Sequence, residues 1–328
     1  MKSLSSFLQP LVLRIGSSKA VVMTTSKKII FEEPARVATS LATGKILAFG
    51  SAALDLASLG APDVQVSPLF RDGVPVDMEL CREYLLWMRA SFTTTRLRHV
   101  LPYPVICVVP VGFPKPYKQL YESSLRFAHF FPLQATEAVL GDAWMELGES
   151  TQEERTIVIR IGATQTQIAA IGNGMVLSHA TLAVGGENLD RQLVRYVRRT
   201  YEMSLPVSQS ILVKEAYTKA IFGKTPFSAV VRGKHVKSSD VRSVTLGQQD
   251  LFPIYTHFFE SLAASVFETM VRTLHYTGNQ SHTTILVSGG LSLFPEAKQS
   301  LEAIIQQKVT LVSRPTVASL LGIVSKMT

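Results

Sequence analysis

Val12-Leu13-Arg14-Ile15-Gly16-Ser17-Ser18 returns later in the chain as Val158-Ile159-Arg160-Ile161-Gly162-Ala163-Thr164. Each copy is an apolar run entering a turn of small residues. A second apolar run follows each, Ala20-Val21-Val22-Met23 after the first and Gln167-Ile168-Ala169-Ala170-Ile171 after the second. Strand, small-residue turn and strand predict a β-hairpin with Gly at the bend, where a missing Cβ widens the available backbone conformations. Two hairpins of one design imply two similar halves.

The segments around the hairpins alternate in kind. Pro104 to Pro110 is a continuous apolar run bounded by prolines, as in a buried strand. Tyr117, Leu120, Tyr121, Ser124, Leu125 and Ala128 fall at helical spacing, and a second helical pattern runs from Ala135 to Leu147. In the other half, Ile285 to Ser288 reads as a strand leading into Gly289-Gly290, with a helix behind it over Pro295 to Gln306. Strand and helix alternate in both halves, which predicts an α/β fold with helix-covered sheets. At 328 residues the chain is longer than one core usually grows, so two lobes are expected. With 46% apolar and 18% charged residues, the composition is that of a packed globular protein.

Composition also excludes several classes. No apolar run reaches the roughly 20 residues that a membrane-spanning helix needs. Pro10 and Arg14 interrupt any signal-peptide core, so cytoplasmic residence is expected. Cys81 and Cys107 fall in helix-like and strand-like patterns without a C-x-x-C pair and read as reduced core residues. Asn279-Gln280-Ser281 matches a glycosylation acceptor by chance in a chain that is not secreted. The net charge of +8 permits attraction to anionic lipid, nucleic acid or an acidic partner. No nucleic-acid-binding signature accompanies it, and the densest basic cluster, Arg195, Arg198 and Arg199, ends a helix, where the macrodipole favours cations. The histidines form no HExxH, no serine lies in G-x-S-x-G, and Glu32-Glu33 and Glu153-Glu154 read as solvated loop ends. Gln152 to Arg155 reads as a linker between lobes.

Gly185-Gly186-Glu187-Asn188-Leu189-Asp190 opens a helix that Arg195-Tyr196-Val197-Arg198-Arg199-Thr200-Tyr201 ends. Leu189, Leu193, Tyr196, Val197 and Thr200 would share one face, with acidic residues in the first turn and basic ones in the last. Both stretches resemble the G-G-D/E-x-L/M-D and R-Y-I/V-R-R-x-Y segments of MreB, the bacterial actin. Phe31-Glu32-Glu33-Pro34, Leu69 to Val74, Val230-Val231-Arg232-Gly233 and Ile285 to Leu291 resemble further MreB stretches in the family's order. The resemblance runs from about residue 11 to 324. It implies an actin-like ATPase fold, with two lobes on duplicated mixed β-sheets and flanking helices. Lobe I would span 1–150, with a small subdomain at 32–75; lobe II would span 151–328, with a small subdomain at 184–251 and a C-terminal segment returning to lobe I. By position, Gly16, Ser17, Ser18, Gly162, Ala163 and Thr164 would flank phosphate, while Gly185, Gly186, Glu187, Lys214, Gly289 and Gly290 would surround the nucleoside.

The chain departs from the family where hydrolysis is performed. ATP-hydrolysing members open each phosphate hairpin with an Asp that organises Mg²⁺, whereas Arg14 and Arg160 stand here. A guanidinium is always charged and cannot coordinate a cation, so the pair inverts the field at the metal position. Gln134 stands where the resemblance places the water-orienting glutamate, and a glutamine is no general base. Ala163-Thr164 replaces residues of the family's glycine-rich second turn; Ile211 and Thr218 replace an acidic residue and a glycine around Lys214. Three readings of the arginines stay open. They pair with protein groups in an empty cleft, they replace Mg²⁺ and bind ATP or ADP directly, or residual hydrolysis persists.

The resemblance thus implies a cell-shape scaffold with a degenerate ATPase site, forming head-to-tail filaments and working with other morphogenesis proteins. An active ATP-driven filament and a monomeric adaptor are the alternatives. Met1, Leu4, Phe7 and Leu8 could share an apolar face beside Lys2, and family members attach to membranes partly through such N-termini. A disordered terminus is the competing reading. Removing residues 1–10 is expected to weaken co-sedimentation with anionic vesicles; equal binding of the full and truncated chains would contradict the membrane reading.

Overall fold

In the computed structural model the described residues are 9–58, 63–94, 100–148, 155–238, 240–277 and 283–327. Met1, Leu4, Phe7 and Leu8, the pair Glu153-Glu154 and the segment Asn279-Gln280-Ser281 lie outside them, as does most of the expected linker.

The first repeat folds as β1 (Leu11–Ile15) and β2 (Lys19–Met23), antiparallel, with Arg14 opposite Val21. β3 (Ile29–Pro34) pairs with β2. A small sheet then forms from β4 (Arg36–Ser40), β5 (Ile46–Phe49) and β6 (Val64–Pro68), with α1 (Gly50–Ser58) packed on it. The short hairpin β7 (Phe70–Arg71) and β8 (Val74–Pro75) precedes α2 (Met78–Phe92). Asp77 caps that helix, its Oδ1 accepting the backbone N–H groups of Glu79 and Leu80 at 2.9 Å each. The half closes with β9 (Tyr103–Val109), α3 (Lys115–Phe127), β10 (Phe130–Glu137) and α4 (Ala138–Leu147).

The second repeat folds as β11 (Arg155–Ile161) and β12 (Thr166–Gly172), extended by β13 (Met175–Leu182). After it come α5 (Gly186–Tyr201), β14 (Met203–Ser204), α6 (Val207–Gly223), β15 (Ser228–His235), β16 (Val241–Gly247) and α7 (Gln248–Leu274). The chain ends with β17 (Thr283–Ser288), α8 (Pro295–Ile305), β18 (Thr310–Leu311) and α9 (Ala318–Met327).

The two large sheets are copies in topology. One reads β3-β2-β1-β9-β10 and the other β13-β12-β11-β17-β18. In each, the repeat's first strand is antiparallel to the strand after it and parallel to its other neighbour. The expected duplicated α/β architecture is therefore the one observed.

Side-chain alternation then sets the layers. From β1, Leu11, Leu13 and Ile15 pack against Tyr84, Leu85, Tyr121 and Leu125 of α2 and α3, while Val12 joins Leu320, Leu321 and Val324 of α9 on the opposite face. From β11, Ile157, Ile159 and Ile161 face Leu189, Leu193, Phe259 and Val266, while Val158 meets Val139 and Ala143 of α4. Helices α4 and α9 form a layer between the two sheets. They cross at glycine: a Cβ on Gly141 would overlap the Ser319 carbonyl, and one on Gly322 would overlap the Gly141 carbonyl.

Three local expectations change. The helix expected from Ala135 begins at Ala138, because Ala135, Thr136 and Glu137 continue β10 in register with Cys107, Val108 and Val109. Glu32 and Glu33 sit in β3 rather than at a loop end; Glu32 accepts from Lys19 Nζ at 2.8 Å, and Glu33 accepts from the Ser51 N–H at 2.9 Å. Thr200 is exposed, so the buried stripe of α5 consists of Leu189, Leu193 and Val197. Cys81 and Cys107 are free and buried.

Because the α4–α9 crossing admits no extra methyl, Gly322→Ala is expected to destabilise the fold by about 1–3 kcal/mol, read as a lower urea midpoint. Gly290→Ala, where a Cβ would meet open space, should shift stability by less than about 0.5 kcal/mol.

Candidate functional site

The arginines follow from strand alternation. Val12 and Arg14 share one face of β1, Val158 and Arg160 one face of β11, and both faces look onto the α4–α9 layer. Arg160 Nη1 lies 2.5 Å from Asp142 Oδ2 of α4 and 3.3 Å from Ser288 Oγ at the end of β17. Arg14 Nη1 donates to Ser319 Oγ of α9 at 3.0 Å, and its Nη2 to the Thr316 carbonyl at 2.5 Å. Each repeat thus sends one guanidinium to one helix of the central pair.

Electrostatics make this arrangement costly and consequential. Asp142 is 0% exposed, and its Oδ1 has no hydrogen-bond partner. A buried carboxylate of that kind is tolerated only because Arg160 neutralises it. Burial, and secondarily the neighbouring charge of Arg160, pull Arg14 down to about 9, which leaves it a cation at neutral pH.

The two repeat turns meet. Gly16 N–H donates to the Lys19 carbonyl at 3.0 Å and Gly162 N–H to the Gln165 carbonyl at 2.9 Å, closing both bends in the same way. Neither glycine has a positive φ; Gly162 is required because a Cβ would lie 2.9 Å from the Gln165 oxygen. Ser17 Oγ and Thr164 Oγ1 are 2.9 Å apart, so the first turn touches the second directly. Asp72, at the tip of the β7–β8 hairpin, joins them: its N–H donates to Ser17 Oγ at 2.8 Å, and Thr164 Oγ1 donates to its carboxylate. Ser18 is exposed, and its carbonyl accepts the Ala35 N–H at 2.9 Å.

The expected nucleoside residues gather around the second turn. At the start of α5, Gly186 N–H donates to the Gly162 carbonyl at 3.0 Å and Glu187 N–H to the Ala163 carbonyl at 2.7 Å. These first-turn N–H groups would otherwise suit an anion, and carbonyls of the repeat turn already occupy them. Gly185 allows this contact, since a Cβ there would sit 2.7 Å from the Gly162 oxygen. Lys214 Nζ reaches back to the Gly186 carbonyl at 2.9 Å and to Asp190 Oδ2 at 2.6 Å. Burial raises the Asp190 carboxyl against the opposing pull of Lys214. Gly289, with φ +92°, lets its turn press against Ile161; Gly290 faces open space.

Glu187 looks toward the other lobe. Its Oε2 is 3.1 Å from Arg71 Nη2, and its Oε1 is 3.8 Å from Arg36 Nη2. Burial lowers Arg36, and Glu187 opposes that shift. Helix α1 also packs against α6, a second contact between the two halves of the chain.

Gln134 is not brought to the turns. It pairs with Ile106, two residues short of the Arg14 partner Val108, and its Nε2 donates to Thr136 Oγ1 at 3.3 Å. It lines a cavity of about 400 Å³ with Lys118, Glu137 and Trp144. A cavity of about 500 Å³ beside the clasp is lined by Asp72, Phe113, Tyr117, Gln165 and Thr181 among others, and by none of the expected nucleotide residues.

These residues do not fit a magnesium–phosphate site. The strand positions that would organise the metal carry guanidiniums already held by protein, and the carboxylate that faces Arg160, Asp142, is paired with it. Sequence reasoning missed Asp142, Ser319, Asp72, Arg71 and Arg36. Most of their partners lie far away in the chain, and of these residues only Arg71 and Asp72, in the Leu69–Val74 stretch, and Asp142, in the Ala135–Leu147 pattern, fell in segments singled out from sequence.

Comparison with known proteins gives one family. A model described as MreB/Mbl protein matches residues 9–328. The cell shape-determining protein Mbl of Bacillus subtilis is 21% identical over 319 residues, covering 94% of this chain and 92% of that one. The crystal structure of MreB5 of Spiroplasma citri bound to AMPPNP superposes with a TM-score of 0.82 at 18% identity, covering 95% of this chain and 94% of the other. The ethanolamine utilization protein EutJ of Carboxydothermus hydrogenoformans gives 0.60 at 14% identity, over 98% and 93%.

Arg160→Met strands the Asp142 charge and is expected to cost about 3–5 kcal/mol, measured by urea unfolding. Adding Asp142→Leu should recover most of that loss, because an apolar pair needs no neutralising partner.

Proposed function

The chain belongs to the MreB/Mbl family, and from that premise we propose that it is a cell-shape cytoskeletal scaffold that assembles head to tail without hydrolysing ATP. Its relative of Bacillus subtilis bears the name cell shape-determining protein, and that role is the one we carry over. One observation supports the non-catalytic part above others: Arg14 and Arg160 are both committed to the central helix pair. A hydrolytic site must hold a metal and orient a water against the phosphate chain. In this reading the two strand positions serve the joint between lobes, Gln134 lies off the turns, and nucleotide is not a required cofactor.

In this reading copies of the chain meet head to tail. Head-to-tail association joins two different surfaces of identical chains and gives an open filament where the rotation between successive copies does not close a ring. The partners are further copies of this chain and other components of the cell-shape machinery. The net charge of +8 favours an anionic surface, and the inner face of the cytoplasmic membrane is the location we assign. No helix among the described residues is long and apolar enough to cross a membrane.

The purified chain is expected to release no phosphate from ATP above a blank, with or without Mg²⁺, and to pellet as polymers under both conditions. Magnesium-dependent turnover would overturn the non-catalytic reading. A protein that stays monomeric in sedimentation at every concentration would overturn the filament.

A further inference from the structure

A strand at the edge of a sheet exposes a row of unpaired backbone N–H and C=O groups, and proteins guard such edges with bulges, prolines or short strands. At its other edges this chain does so. β3, β6 and β10 carry Pro34, Pro68 and Pro132. β5 and β13 each hold an extra residue against their neighbour, between Ile46 and Ala48 and between Val176 and Ser178. β7, β8, β14 and β18 are two residues long. β16 has none of these devices. Its seven residues run in unbroken register with β15, from Val241 opposite Lys234 to Gly247 opposite Ser228, and among the described residues it pairs with no other strand.

The two faces of this edge differ. Val231 and Leu246 turn into the core of the second half, with Val244 packed beside them. On the outer face Arg232 lies opposite Ser243, and Lys234 opposite Val241, which is 72% exposed. The surroundings are cationic. Residues 184–251 hold eleven Lys and Arg against six Asp and Glu, five of the chain's net +8. Four of those acids are engaged, Glu187 with Arg71, Asp190 with Lys214, Glu202 with Lys237, and Asp250 with the Tyr196 hydroxyl. Two copies joined edge to edge would bring Arg232, Lys234 and Arg242 toward the same cations, so like charge opposes self-pairing. An acidic strand meets no such penalty. It would lie about 10 Å from β15, two strand spacings, a gap that an Arg or Lys and a Glu reaching toward it span together.

We propose that β16 is a docking edge that receives an extended acidic segment of a partner protein as a further strand. Its carboxylates would fall at alternate positions beside Arg232 and Lys234, and its apolar side chains would continue the row of Val244 and Leu246. Backbone pairing supplies the affinity in such strand addition, and the alternating side chains supply the selection. The inference rests on the scaffold reading, to which it adds the chemistry of one partner, and it can fail while the chain still polymerises without releasing phosphate.

A fluorescent eight-residue peptide of alternating Glu and Val, blocked at both ends, would be titrated into the full chain and followed by anisotropy. It should bind at least tenfold more tightly than the matching Lys/Val peptide and should slow hydrogen exchange across residues 241–246. N-methylation of all its amides keeps the charges and removes the donors, and should weaken binding at least tenfold. Arg232→Glu with Lys234→Glu should do the same. That double variant should in turn bind the Lys/Val peptide at least tenfold more tightly than the wild type does, a gain that a misfolded chain could not show. Absence of Glu/Val binding, equal binding of the N-methylated form, or unchanged affinity in the double variant overturns the proposal. So does a loss of phosphatidylserine-vesicle binding in the double variant without any peptide binding, which makes the patch a lipid contact. Loss of polymer in the double variant, again without peptide binding, makes the edge a contact between copies and overturns it too.

Discussion

Everything else in this molecule depends on how closely α4 and α9 cross. The two helices lie between the large sheets, and Gly141 and Gly322 bring their backbones nearer than any side chain would permit. That approach fixes the separation of the sheets and hence of the two repeat turns. Apolar packing on each side makes the layer continuous: Leu320 and Val324 of α9 seal against β1 and β2, while Val139 and Ala143 of α4 seal against β11 and β12. Interiors are packed like crystals, so a joint of this kind transmits small displacements rather than absorbing them.

On that joint the two arginines act as polar bolts. Each occupies the last inward position of its strand before the turn, and each reaches the helix pair rather than the space between turns. A buried ion pair such as Arg160–Asp142 adds little net stability compared with an apolar pair, but breaking it is expensive. Its value lies in specifying one arrangement of sheet and helix. The upper cleft is treated likewise. Ser17, Thr164, Glu187 and Lys214 all have protein partners, and a partner on the same chain is present at an effective concentration that a free ligand must outcompete.

Much of the fold was legible because it is written twice. The Val12–Ser18 and Val158–Thr164 copies located both hairpins, and the resemblance put both arginines at the metal-organising positions of those hairpins without saying what they contact. The end of β10 was misread because Ala135 to Glu137 satisfies a helical pattern and a strand ladder equally well until β9 is placed beside it. The site was less legible. Arg14 and the Thr316 carbonyl are 302 residues apart, Thr164 and Asp72 are 92, and no local period encodes such pairings. Sequence revealed that the metal-organising acids were gone and left three uses for their replacements open. The geometry favours the first of these, pairing with protein groups, because Asp142, Ser319 and Thr316 lie within reach.

In the proposed scaffold, protein contacts rather than a magnesium nucleotide hold this cleft together. A crystal structure of the full chain grown with millimolar ATP and Mg²⁺ tests it most directly. Arg160 should remain on Asp142, Arg14 on Ser319 and Thr316, and Asp72 between Ser17 and Thr164, with no nucleotide or metal among them. Density for a nucleotide and Mg²⁺ between Gly16 and Gly162, with Asp72 displaced and the guanidiniums turned toward phosphate, would contradict it.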